Sequence, residues 1–151
     1  MTCVAITHLT AHEGESLSVF GEVTTFKIRR ASYSVLESSA EPGHGLPPHT
    51  HDGQDEAIYV LAGEYRLSSG EDRLTLTAGS LALVSRGTVH SLTAAGTEPA
   101  SCLVIFDPPG AMERFFDEVR TAGASTGDAG GTPDIFAIAR SLGIALLTSP
   151  V

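Results

Sequence analysis

The chain has 151 residues, 42% of them hydrophobic, and carries 18 acidic side chains against 9 basic ones. That length supports one core and falls short of two ordinary domains, so a single domain over 1–151 is expected. The acidic balance argues against nucleic acid as a partner, since binding phosphates needs a basic face, and no apolar run reaches the roughly 20 residues that span a bilayer.

The start of the chain, Met1 to Ala5, has no basic region followed by an apolar core, so a cytoplasmic location without a secretory signal is expected. Short β-rich runs follow: Leu17–Phe20 and Val23–Ile28 around a Gly21-Glu22 turn, then the alternating Tyr33–Glu37. Lys27, Arg29 and Arg30 form the one basic cluster and read as a solvated strand end. The stretch Pro42–Pro48 is rich in proline and glycine, and its last two prolines hold the backbone extended ahead of His49.

His49 and His51 stand two apart, and in a strand such residues share a face. Glu56 lies at an odd offset from both, so a turn over Asp52-Gly53-Gln54-Asp55 must intervene. Glu56–Leu61 then reads as a strand returning antiparallel. Glu56, Ile58 and Val60 face its interior side; Asp55 and Tyr59 point away, Tyr59 as a packing residue. Glu64–Leu67 and Arg73–Leu76 flank a Ser68–Asp72 turn and read as a hairpin. Leu81–Val84, His90–Thr93 and Ser101–Phe106 complete the strands. Of the two cysteines, Cys3 has no ligand spacing and Cys102 reads as a small buried hydrophobe; together they make no disulfide framework.

Many short strands with frequent turns indicate a sandwich or barrel, with its core over about 17–107. A tail over about 111–147 changes period. Met112, Phe115, Phe116 and Val119 fall at helical spacing. Residues 123–131 read as a flexible linker by composition. Thr132 is expected to cap a second helix with Pro133 at its first position, an apolar stripe of Ile135, Ile138, Ala139 and Leu142, and an end at Gly143. Ile144–Leu147 is apolar and needs cover, over the barrel mouth or on a partner subunit.

Chemistry concentrates in four side chains. His49, His51 and Glu56, joined by His90 after a second glycine-marked turn, supply three imidazoles and one carboxylate, a donor set for one divalent transition metal ion. Imidazole suits iron, nickel, copper and zinc, and the carboxylate leaves manganese and cobalt open. His8, His12 and His44 have no matching spacing, and His44 reads as a solvated loop residue. Phe20, Phe26, Tyr33, Ile58 and Val60 are the candidate substrate contacts, with core packing as the alternative reading.

The pattern resembles the cupin family. Its first motif, a glycine, five residues, H-x-H, three or four residues, Glu, six residues and a glycine, is matched by Gly43, His49, His51, Glu56 and Gly63. Its second is matched by Gly79, Gly87 and His90, while Ser85 and Ala94 stand where proline and asparagine are usual. Neither departure falls on a ligand. The resemblance implies an all-β, double-sheet jelly-roll barrel with two short C-terminal helices, a metal on His49, His51, Glu56 and His90, and a homodimer. Glu15–Gly21, Met112–Phe116 and Pro133–Leu147 resemble the bacterial quercetin dioxygenase-like branch. That branch implies a metal-dependent dioxygenase acting on a small hydroxylated aromatic or enolisable substrate, with Glu56 as ligand, general base or both. Two alternatives stand beside it. One is a non-redox cyclase or isomerase of a polyketide-type pathway; the other is a small-molecule-binding protein without turnover.

Overall fold

The computed structural model describes residues 5–125 and 133–147. Cys3, Thr132 and most of the expected linker lie outside that range. Eleven strands and two helices follow in order: β1 (Glu15–Val19), β2 (Glu22–Arg29), β3 (Ser34–Ala40), β4 (Gly45–Thr50), β5 (Asp55–Ala62), β6 (Glu64–Ser69), β7 (Asp72–Thr77), β8 (Leu81–Val84), β9 (His90–Ala95), β10 (Ala100–Asp107), α1 (Ala111–Ser125), α2 (Ile135–Ser141) and β11 (Ala145–Leu146). They form two facing antiparallel sheets, β1-β2-β3-β10-β5-β8 and β11-β4-β9-β6-β7. This is the expected jelly roll. No described helix is long and apolar enough to cross a membrane.

The alternation of side chains along each strand decides what lies between the sheets. Leu36, Ile58, Val60, Tyr65, Cys102 and Phe106 point inward and are almost wholly buried. Cys102 thus takes the expected role of a small buried hydrophobe. Gly63 ends β5 with φ 69°, and a side chain there would strike the Pro99 carbonyl oxygen at 2.5 Å. Only glycine meets both demands.

Several expectations need correction. β4 and β5 follow one another and run back, yet they do not pair: β5 bonds β10 and β8, while β4 bonds β9 and β11 in the opposite sheet. The first turn is Phe20-Gly21, both at positive φ as a two-residue hairpin requires, rather than Gly21-Glu22. Glu22 therefore opens β2 and points inward. Lys27 is not simply solvated, since its ammonium donates to the carbonyls of Thr10 and Glu13 at 2.8 Å. Arg29 lies over the Phe26 ring at 3.9 Å and pairs with Asp117. Tyr59 does point away from Glu56, but it is 42% exposed rather than packed.

The helices close one side of the barrel. Met112, Phe115, Phe116 and Val119 are buried along one face of α1, which continues through Ser125 where a linker was expected. Asp134, not Thr132, caps α2, accepting from the Ala137 N–H at 2.9 Å. Gly143, at φ 75°, follows the end of α2. Ile144 is buried, and β11 then adds an edge strand to β4, Ala145 opposite Thr50 and Leu146 opposite His49. The apolar tail therefore covers the outer edge of the strand that carries His49.

Candidate metal centre

Three elements and one loop bring the four donors together. β4 carries His49, and the adjacent strand β9 carries His90 directly opposite it. His51 sits just past the end of β4, and Glu56 reaches across from β5 in the other sheet. One donor atom from each lies within 4.8 Å of the others, and all four side chains are buried.

The hydrogen bonds assign the ring tautomers. Nδ1 of His49 meets the Pro47 carbonyl at 2.8 Å, that of His90 meets the Thr88 carbonyl at 2.8 Å, and that of His51 meets the Gln54 carbonyl at 3.2 Å. A carbonyl only accepts, so each Nδ1 donates and each neutral ring turns a bare Nε2 lone pair to the centre. Nε2 of His51 and of His90 stand 3.1 and 3.0 Å from Glu56 Oε2. Lone pair facing lone pair at that distance repels unless a proton or a cation lies between them. His49 Nε2 has no partner at all among the described residues. A divalent ion would satisfy all four donors at once, and the backbone carbonyls hold the rings in the orientation that ligation would need.

The electrostatics agree. Burial, aided by the neighbouring His90, pushes His49 down to about 4, so its ring stays neutral near pH 7. Burial also works to raise the Glu56 carboxyl, but a proton shared with the facing imidazole nitrogens, the alternative to a cation between them, outweighs it and holds the group well below the usual carboxylate range. Burial works to lower His90, and Glu56 again prevails, drawing it up.

Beside the ligands lies a narrow cavity of about 10 Å³, room for about one water. Leu36, Leu46, Leu92, Val104, Phe106 and Phe116 wall it; His49, Glu56, Ser38 and Glu22 supply its polar lining. An open hollow of about 240 Å³ reaches His90 between the edge strands β7 and β8, with Leu67, Leu74 and Leu83 among its walls.

The five candidate substrate contacts stand elsewhere, and none lines either space. Phe20 packs edge-on to Phe136, and Phe26 packs edge-on to Phe116. Tyr33 is 40% exposed. Ile58 and Val60 do share the inward face of Glu56, but they lie farther along β5, where the sheets close over a filled core. His44 is exposed, as expected of a loop residue. Asp55 faces outward and pairs with Arg86.

Three buried polar residues escaped the sequence reading. Glu22 was assigned to a turn, and only the strand register shows that it points inward. Gln54 was taken as turn chemistry. Its side chain instead donates to the Pro108 carbonyl at 2.9 Å and to Glu113 at 2.8 Å, and accepts from the Met112 N–H at 2.9 Å. Glu113 reaches back to the Gly110 N–H at 2.7 Å and also bonds Ser34. A glutamate in the first turn of a helix was the available signal.

Residues 37–106, the stretch that holds all four donors, match the family model described as Cupin domain. Over 81 residues the chain is 35% identical to germin-like protein subfamily 2 member 2 of Arabidopsis thaliana, a match that spans 50% of this chain and 37% of that protein. Among solved structures it is similar to KdgF from a Halomonas species (TM-score 0.63, 18% identity, 70% of this chain and 96% of that one). It is also similar to the polyketide cyclase RemF from Streptomyces resistomycificus (TM-score 0.63, 17% identity, 70% of this chain and 81% of that one). At such identities the structural likeness carries the fold alone. The chain thus carries a match to a Cupin domain over residues 37–106, set within a jelly-roll fold.

Proposed function

We propose that this protein is a metal-dependent enzyme acting on a small hydroxylated or enolisable substrate. The observation that carries the reading is the set of four buried donors, with every histidine's Nδ1 held by a backbone carbonyl, the Nε2 of His51 and His90 against Glu56 and that of His49 without a partner among the described residues. A divalent ion held there would act as a Lewis acid toward a substrate oxygen and, if redox-active, would also support dioxygen chemistry. The protein's own part is to hold the donors rigid, to exclude water with six apolar walls, and to keep a carboxylate at hand. Glu56 serves as ligand and, where it detaches, as the base that takes a substrate proton. The inner cavity admits a water-sized group rather than a whole aromatic ring system. The body of a substrate therefore belongs in the hollow between β7 and β8.

Dioxygenase action is the leading use of this centre, on the resemblance to the quercetin dioxygenase-like branch. A non-redox cyclase or isomerase is the second reading. It is favoured by the buried carboxyl of Glu22 in the same cavity, suited to proton transfer, and by the likeness to the fold of a polyketide cyclase. Exposed Leu61 and Leu81, on the paired strands β5 and β8, also offer a face for a homodimer, which sedimentation velocity would test.

Elemental analysis of protein purified without a histidine tag is the first experiment. Near-stoichiometric iron, nickel, copper, manganese or cobalt followed by oxygen uptake with enols supports the dioxygenase. Zinc, with turnover of an enolisable substrate but no oxygen uptake, supports the cyclase or isomerase. No metal after reconstitution overturns the proposal.

A further inference from the structure

We propose that Glu22 is a ligand-facing carboxyl of the inner cavity: it donates a hydrogen bond to the small oxygen or nitrogen group that binds beside the metal centre. The inference rests on the metal-centre reading above and adds a residue that lies outside the motifs.

Four observations carry it. Glu22 is buried to 3% exposure on the inner face of β2, where an apolar residue would ordinarily sit. It lines the same cavity as His49 and Glu56, whose remaining walls are apolar except for Ser38. One of its oxygens is engaged: the Thr24 hydroxyl stands 3.1 Å from Oε1 and 3.1 Å from the Ser38 hydroxyl, and both hydroxyls work to lower the Glu22 carboxyl against its burial. The other, Oε2, is buried with no hydrogen-bond partner among the described residues. A buried carboxyl oxygen left alone is costly, so a site that keeps one offers it to something that comes and goes.

The direction of the bond follows. Where Thr24 keeps donating to Oε1, the proton of a neutral carboxyl sits on Oε2, the oxygen left for the cavity; a proton on Oε1 is donated to Thr24 instead. Burial pushes the Glu22 carboxyl up to about 7, with the negative charge of Glu56 acting in the same sense. Tyr65, Cys102 and His49 near it stay uncharged through this range, while His90 on the far side of His49 is drawn up by Glu56. Burial raises the Tyr65 hydroxyl far above its ordinary value and the Cys102 thiol to about 12, and His49 is neutral. A neutral Glu22 favours an anionic or carbonyl acceptor such as an enolate oxygen; an ionised one repels it.

The test uses protein loaded with cobalt(II) and titrated with azide, a small anion that binds metal and accepts a hydrogen bond, read from the visible absorption of the ion. Cobalt content and thermal midpoint are measured for every variant. The wild type is expected to bind azide more weakly as pH rises past an inflection at or below about 7, since a bound dication draws the carboxyl down. In Glu22→Gln that inflection is lost with cobalt content unchanged, and in Glu22→Leu azide binds about tenfold more weakly at pH 6. Thr24→Val, which strips the donor from Oε1, moves the inflection upward and provides a second reading should the Glu22 variants unfold. The same inflection in wild type and Glu22→Gln, at equal cobalt content, overturns the role of Glu22 and leaves the metal centre standing. No cobalt in the wild type overturns both.

Discussion

Each imidazole of the centre is fixed by one backbone carbonyl, so the side chains contribute ligation while the backbone contributes orientation. His49→Ala and His51→Ala should each lower metal content by more than about tenfold, measured by elemental analysis after reconstitution. His44→Ala, an exposed change outside the cluster, should leave it unchanged. Glu22 also makes a pH prediction of its own. In the folded protein its carboxyl holds a proton up to about 7, against an ordinary 4.5. Between those values the native state binds a proton that the unfolded chain has released, so stability is full below the lower value and declines as pH rises through the upper one. The decline should reach about 3 kcal/mol in the chelated protein. The quantity to measure is the difference between wild type and Glu22→Gln in urea midpoint across pH 4 to 8, which isolates Glu22 from every other group. The convergence of the four donors was legible because a histidine pair, a carboxylate and bracketing glycines leave few other readings. Glu22 was not, because one residue's difference in where a hairpin turns decides whether it faces water or the core.

At the level of elements, the turn that carries His51 is tied to the start of α1. Gly110 precedes the helix and has no side chain to cap it, so Gln54 supplies the acceptor for Met112 from another part of the chain, while Glu113 answers with the return bond to the Gly110 N–H. Gln54→Leu removes the bonds that Gln54 makes to Met112, Glu113 and Pro108 and strands the Met112 N–H. A loss of about 2 kcal/mol is expected in urea unfolding with an unchanged m-value, together with several-fold weaker metal binding as the His51 turn loosens. Retained metal affinity at that loss of stability would show the bridge to be structural only. Most strands were readable from alternation and turn residues, and the α1 stripe from its period. The pairing of strands was not. A histidine strand followed by a turn and a glutamate strand looks like a hairpin locally, and only the whole set of strands sends the two into opposite sheets. The cap of α2 moved to Asp134 for a similar reason: several residue types that cap well stand close together, and backbone geometry chooses among them.

For the whole molecule, placing β4 and β5 in different sheets makes the centre a clasp between layers. Metal binding should therefore stabilise global unfolding, raising the thermal midpoint in proportion to the logarithm of free metal, which calorimetry checks. Phe116 packs from α1 against Phe26 and walls the cavity, so Phe116→Ala should cost about 3 kcal/mol and widen the space beside Glu22. β11 has a consequence in time rather than in space. It lies at the far end of the described chain, yet it completes the edge of β4 opposite His49, and the Leu147 N–H closes on the Pro48 carbonyl at 2.8 Å. During synthesis the strand bearing the first ligand leaves the ribosome long before the strand that shields it. Until the tail has been made, that nascent edge is open to pairing with other chains.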